Sequence, residues 1–254
     1  MSELRRVSVR TRRDDAEPLR ALLLDLVPAG MEERQRDDVL ELAVYVATEE
    51  LDKLVARLPG ATVEPVEDGW EDAWRAFHRP VEVAGLWVGP PWETPPELRR
   101  AVMIDPGRAF GTGAHATTRL CIELLARVGD RRSLLDVGCG SGVLGIAAAR
   151  LGFDAITCVD VDPVAVETTV ANAALNGVRV VARVLDAEQE PLPPAEAAVA
   201  NVLLAPVEAI LARLDAREAV TSGYLAGERP SHPGWEHAET LVRDGWAADR
   251  FRRR

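Results

Sequence analysis

The apolar positions in the first 66 residues change period several times. Over residues 5–11 they alternate, with Val7 and Val9 on one face, as a half-buried strand requires. Asp14 and Asp15 then offer a cap to a helix carrying Leu19, Leu22, Leu23 and Leu26, which Pro28-Ala29-Gly30 stops. Residues 31–36 and 39–46 read as two strands, the second with Leu40, Leu42, Val44 and Val46 in alternation. Thr48-Glu49-Glu50 starts a second helix, which carries Leu51, Leu54, Val55 and Leu58 and ends at Pro59-Gly60. Residues 61–66 form a fourth strand. The order β-α-β-β-α-β predicts a small ferredoxin-like α+β domain over residues 1–67.

The pattern breaks over residues 69–96, where Trp70, Trp74, Trp87 and Trp92 fall among Pro80, Pro90, Pro91, Pro95 and Pro96. Trp70, Trp74 and Phe77 lie at helical spacing. A Trp/Pro-rich linker is expected over residues 68–100, its aromatics either covering an inter-domain helix or lining a docking surface. From Ser133 onward strands and helices alternate: strands at 133–137, 155–159, 178–185, 197–202 and 219–222, helices at 143–151, 163–176 and 206–214. That alternation predicts a doubly wound α/β sheet within a domain spanning residues 101–254. Residues 235–243 read as one more helix and residues 246–250 as a sixth strand.

Composition narrows the partners. The 254 residues hold 41 Asp+Glu against 30 Lys+Arg, a net charge of −11, so no generic polyanion-binding surface and no direct nucleic-acid contact are expected. No apolar run reaches the ~18 residues of a membrane span. Residues 1–13 are charged and lack the apolar core of a signal peptide. Cys121, Cys139 and Cys158 show no CxxC spacing, which argues against a disulfide framework and against structural zinc. A cytoplasmic monomer without a metal is expected.

The sharpest chemical signal is Asp136-Val137-Gly138-Cys139-Gly140-Ser141-Gly142, a strand running through three alternating glycines into a helix. Such a turn lets a ligand approach the backbone and meet free N–H groups. Two cofactor classes compete. The stretch from Gly140 to Gly145 matches the dinucleotide fingerprint G-x-G-x-x-G, with Asp160 twenty residues after Gly140. Asp136 argues against it, because a carboxylate beside the first glycine repels a pyrophosphate and favours the cationic sulfonium and ammonium of S-adenosylmethionine. Asp160, at the end of the next strand, suits a pair of ribose hydroxyls. Asp162 caps the helix that Pro163 opens. Asp186 either reaches the adenine edge or sits in solvent. Asn201 ends the fourth strand, on the sheet edge where ligands bind in such folds.

Ahead of the sheet, residues 104–118 read Ile-Asp-Pro-Gly-Arg-Ala-Phe-Gly-Thr-Gly-Ala-His-Ala-Thr-Thr. The three glycines make a loop with Phe110 as an apolar lid, and His115 is either catalytic or a helix cap. This string resembles the hallmark of the bacterial ribosomal-protein methyltransferases that modify the eleventh protein of the large subunit. Their Val-Asp-x-Asp-Pro segment recurs at Val159–Pro163 and their Ala-Asn-x-Leu segment at Ala200–Leu203.

The resemblance implies a class I methyltransferase: a Rossmann-like doubly wound sheet preceded by a ferredoxin-like substrate-recognition domain. It implies transfer of methyl groups from S-adenosylmethionine to lysine and N-terminal amines of a large-subunit ribosomal protein. Carried over by position, Thr118, Gly138, Asp160 and Asn201 contact the cofactor, and Phe110 and Thr112 lie near its methionine end. Asp136 and Gly140 belong to the same pocket, and Asn201 doubles as the catalytic residue. The family also needs a seventh, antiparallel strand, which Phe251-Arg252-Arg253-Arg254 is poorly suited to supply; a truncated or diverged C-terminus with an unpaired edge is expected. The alternatives are a methyltransferase of the same fold acting on another protein or a small molecule, a non-catalytic relative, and a nicotinamide-dependent oxidoreductase, which Asp136 disfavours.

Overall fold

A computed structural model describes residues 4–12, 16–27, 31–36, 39–66, 79–105 and 113–254. The chain divides into two compact units, Met1–Phe77 and His78–Arg254. In the first, strands β1 (Leu4–Arg12), β2 (Glu32–Arg36), β3 (Val39–Ala47) and β4 (Thr62–Pro65) form one antiparallel sheet of order β2-β3-β1-β4. Helices α1 (Ala16–Leu26) and α2 (Leu51–Arg57) contribute Leu23 and Leu54 to a core that also holds Val7, Leu42 and Val44. Alternation puts Arg6 on the other side of β1 from Val7. Its guanidinium takes Glu32, Glu41 and Glu64 from the three other strands. The aromatic face of Trp70, Trp74 and Phe77 lies outside the described residues.

The second unit begins with a small sheet of β5 (Val81–Val83), β6 (Leu86–Gly89) and β7 (Ala101–Met103). This corrects the described part, residues 79–100, of the linker expected over residues 68–100, and residues 68–78 lie outside the described residues. Val83, Leu86, Val88, Val102 and Ile104 are buried in the main core of the unit, so this stretch is structural. Its hairpin turns on Ala84 and Gly85, both at positive φ, the geometry of the tightest two-residue turns.

The main sheet has seven strands in the order β10-β9-β8-β11-β12-β14-β13. They are β8 (Ser133–Val137), β9 (Ala155–Asp160), β10 (Val181–Val184), β11 (Ala197–Asn201), β12 (Glu218–Leu225), β13 (Trp235–Arg243) and β14 (Trp246–Arg253). The first five run parallel, and β14 is antiparallel to both of its neighbours. Helices α3 (Ala116–Leu125), α4 (Val143–Arg150) and α5 (Pro163–Leu175) feed one apolar cluster, and α6 (Leu204–Arg213) feeds the second.

Two further expectations are corrected here. Residues 235–243 are a strand, and no strand is missing. Asp244 and Gly245, at φ 52° and 81°, close a hairpin of the Asp-Gly type, which places the Arg-rich β14 inside the sheet. Arginine is tolerated there because Arg250 reaches Glu218 and Glu239 on the flanking strands. Residues 226–234 join the parallel strands β12 and β13 without a helix. Asp249 of β14 is fully buried, and its carboxylate is met by Tyr224, His237 and Thr240. A buried charge without such partners would be strongly destabilising.

Candidate functional site

The switch point of the sheet lies between β8 and β11. From β8 the chain steps outward to β9 and β10, then returns to the other side at β11. Ligands of open α/β sheets bind in the crevice at the carboxyl ends of such strands. Here the crevice receives the glycine turn, the end of β9 and the end of β11.

Gly138, Gly140 and Gly142 all have positive φ. A side chain at Gly138 would put its Cβ 2.5 Å from Val202 Cγ1, so the turn is drawn against the end of β11. The Gly138 and Cys139 amides donate to Val159 O at 2.9 and 3.1 Å. The Gly140 amide donates to Asp160 Oδ2 at 2.9 Å, and the Asp162 amide to Asp160 Oδ1 at 3.0 Å. These bonds hold the half-buried Asp160 carboxylate beside the glycine backbone, with lone pairs left for a diol. Asp162 caps α5 through the Val164 amide at 2.8 Å. Asp186 forms a local turn, its Oδ1 accepting from the Glu188 amide at 2.9 Å.

Asp136 occupies a different place from the one expected. It is 1% exposed, and its Oδ2 accepts the Gly145 amide at 2.9 Å within the first turn of α4. Strand alternation sets this: Leu135 and Val137 face the α6 side, so Asp136 shares with Leu134 the face under α3 and α4. The carboxyl therefore braces the glycine turn from beneath and does not line the crevice, and its charge is not what excludes a pyrophosphate. Burial pushes its pKa up to about 7, against the opposing effect of the Gly145 amide.

The folded chain thus keeps a proton that an unfolded carboxyl, with its ordinary value of 3.8, has lost. The stability this contributes is complete below about pH 4 and is lost as pH rises to about 7. Asp136→Asn, which does not titrate, should gain relative to the parent over that window by up to about 4 kcal/mol. Urea unfolding at stepped pH would check it. Parallel pH profiles for the two proteins would show that the buried carboxyl is already ionised.

Thr118 is 1% exposed in the first turn of α3, beside Thr117 at 3%. His115 is the N-cap of that helix. Asn201, at the last position of β11, donates from Nδ2 to Thr117 Oγ1 at 3.2 Å. Phe110 and Thr112 lie outside the described residues. Sequence reasoning passed over Asn172, in the last turn of α5, and Asn176, the C-cap that follows it four residues on. Asn172 Nδ2 donates to Ser141 O at 2.9 Å, and its Oδ1 accepts the Asp105 amide at 3.1 Å. Asn176 clasps both backbone groups of Met103. Together they tie the glycine turn to the segment entering residues 106–112. Their signal was the i, i+4 spacing of two amides among the small apolar residues that end the helix.

The sheet order, the single antiparallel strand and the glycine cradle beside a strand-end acid define a class I, S-adenosylmethionine-dependent methyltransferase. The residues fit that cofactor: a turn of three glycines at positive φ, and a carboxylate held beside it at the strand end. The sequence profile of the ribosomal protein L11 methyltransferase (PrmA) family matches residues 10–253, and the chain belongs to that family. Ribosomal protein L11 methyltransferase of Legionella pneumophila (strain Corby) is 34% identical over 230 residues, covering 83% of this chain and 80% of that protein. The Azotobacter vinelandii protein of the same name is 39% identical over 229 residues, covering 81% and 78%. The crystal structure of a ribosomal protein L11 methylase from Lactobacillus delbrueckii subsp. bulgaricus superposes with a TM-score of 0.63 at 24% identity, over 70% of this chain and all of that one. This last likeness concerns the fold.

Proposed function

We propose that this chain methylates amino groups of ribosomal protein L11, with Asn201 aligning the acceptor amine. S-adenosylmethionine supplies a methyl carbon on a cationic sulfur, which a neutral amine displaces in line. The glycine turn and Asp160 seat the nucleoside part, and Thr118 backs the pocket from α3. An amide cannot act as a base, so Asn201 contributes direction: its carbonyl accepts an amine N–H and aims the lone pair. The observation that carries this is the position of Asn201 at the switch point, with its Nδ2 already engaged by Thr117 and its carbonyl end left to accept.

The acceptor must arrive neutral. For a lysine of pKa ~10.4 that costs about 4.6 kcal/mol at pH 7, and for an α-amine near 7.7–8 only about 1–1.4 kcal/mol. Desolvation in the crevice lowers the amine pKa and supplies part of the difference. Burial also lowers the pKa of His115 despite the pull of Asp244, so the ring is neutral and not a cation that would repel the substrate.

The first unit is read as a ferredoxin-like substrate-recognition domain, supported by its β-α-β-β-α-β order and its sheet order β2-β3-β1-β4. A ribosomal substrate places the reaction in the cytoplasm. The test is to incubate the full chain with L11 and S-adenosylmethionine and follow L11 by mass spectrometry. Stepwise gain of methyl masses is expected, and unchanged L11 would remove the reading. Deleting residues 1–67 should abolish that gain while S-adenosylmethionine still binds in calorimetry. A truncated chain that still methylates L11 would take the recognition role from the first unit.

A further inference from the structure

We propose that Thr117 and His115 form a hydrogen-bond relay that fixes which end of the Asn201 amide faces the acceptor amine. The inference rests on the role given to Asn201 above and adds two positioning residues to it. Three side chains from two elements are linked in series. Asn201 Nδ2, at the end of β11, lies 3.2 Å from Thr117 Oγ1 in the first turn of α3. Thr117 Oγ1 lies 2.8 Å from His115 Nδ1, at the N-cap of the same helix.

The direction of the relay follows from counting donors. His115 Nδ1 accepts the backbone amide of Thr117, the bond that caps the helix, so this nitrogen carries no proton. The Thr117 hydroxyl is then the donor in its bond to Nδ1. A hydroxyl has one proton, and this bond uses it. Toward Asn201, Thr117 can offer lone pairs only. The amide must present its NH2 end to Thr117, and its carbonyl end is left for the substrate. With the relay cut, the amide is free to turn over, and a carboxamide presenting NH2 to an amine cannot accept its N–H.

The surroundings favour this arrangement. Thr117 is 3% exposed, so water does not compete at the hydroxyl. The His115 ring packs edge-on against Trp246 of β14, centroids 5.1 Å apart, which holds its plane. Burial keeps the ring toward its neutral form. Nδ1 stays an acceptor, and the proton of the neutral ring sits on Nε2.

Two measurements on the full chain test the relay. Nitrogen-15 NMR of the ligand-free protein should show His115 with a bare Nδ1 and a protonated Nε2. A proton on Nδ1 would reverse the direction of the relay and overturn the proposal without any reference to turnover. Kinetics supply the second arm. Thr117→Val should lower kcat by roughly tenfold to a hundredfold, the scale of a misaligned reacting group, with S-adenosylhomocysteine affinity unchanged. Thr117→Ser, which restores the hydroxyl, should recover most of the lost rate. Full turnover by Thr117→Val, or no recovery with serine, would overturn the relay. If Asn201→Ala loses its rate while Thr117→Val keeps it, the relay alone falls. If Asn201→Ala keeps its rate, the role of Asn201 falls and the relay with it.

Discussion

Alanine at Gly223 is expected to destabilise the second unit by roughly 3–5 kcal/mol, adding backbone strain to overpacking. Gly223 has φ +101°, and a Cβ there would lie 2.1 Å from the carbonyl oxygen of Val202 and 2.6 Å from its carbonyl carbon. The obstacle is backbone, so no rotamer change relieves it. The residue sits where the pairing of β12 with β14 shifts register between Ser222 and Tyr224, and the Val202 amide donates to Ser222 O at 3.1 Å. Val202 follows Asn201 and touches the space above Gly138, so relief would move the aligning amide and the cofactor turn together. Gly152 is the matched comparison. Its φ is +94°, but a Cβ there meets nothing within 4 Å. Gly152→Ala should cost only the backbone term, roughly 1–2 kcal/mol. Urea denaturation of the two variants should separate them clearly, and equal losses would show that β12 yields more easily than its contacts indicate.

Asn201→Ala should reduce kcat on the order of 10²-fold or more, because a reacting amine left without its aligning acceptor loses the advantage of positioning. Cofactor affinity should change modestly, since the glycine turn and Asp160 remain. Steady-state kinetics with L11, beside calorimetry with S-adenosylhomocysteine, would check both halves. A loss of affinity as large as the loss of rate would make Asn201 chiefly a cofactor ligand. Near-normal turnover would refute its part in alignment.

The parallel half of the large sheet was legible chiefly because β8, β9 and β11 are short, mostly apolar runs with glycine, proline or a capping acid nearby. Pro163 after Asp162 and the three glycines after Val137 mark element boundaries by backbone chemistry alone. The C-terminal hairpin was misread for a local reason. Leu241 and Val242 are adjacent, so residues 235–243 do not alternate, and the dipeptide Asp244-Gly245 carries the strand signal instead. Residues 81–103 were misread because proline and tryptophan outweighed Val83, Leu86 and Val88, whose burial depends on a core built by residues far along the chain. At the site, the residue types were legible and their directions were not. Asp136 stands in the expected motif but points beneath the turn, because its place in the strand alternation decides its face. The link from His115 through Thr117 to Asn201 spans the 84 positions between Thr117 and Asn201, and no local pattern announces it.

The contact between Trp246 and His115 has an optical consequence. An excited indole gives up an electron readily to an imidazolium and poorly to a neutral imidazole. Held edge to face at 5.1 Å, the pair should convert gain or loss of a ring proton into dimmer or brighter emission. With the other five tryptophans replaced by phenylalanine, the chain would carry its own fluorescent gauge of the helix cap, readable in a cuvette without a dye or a radioactive methyl donor.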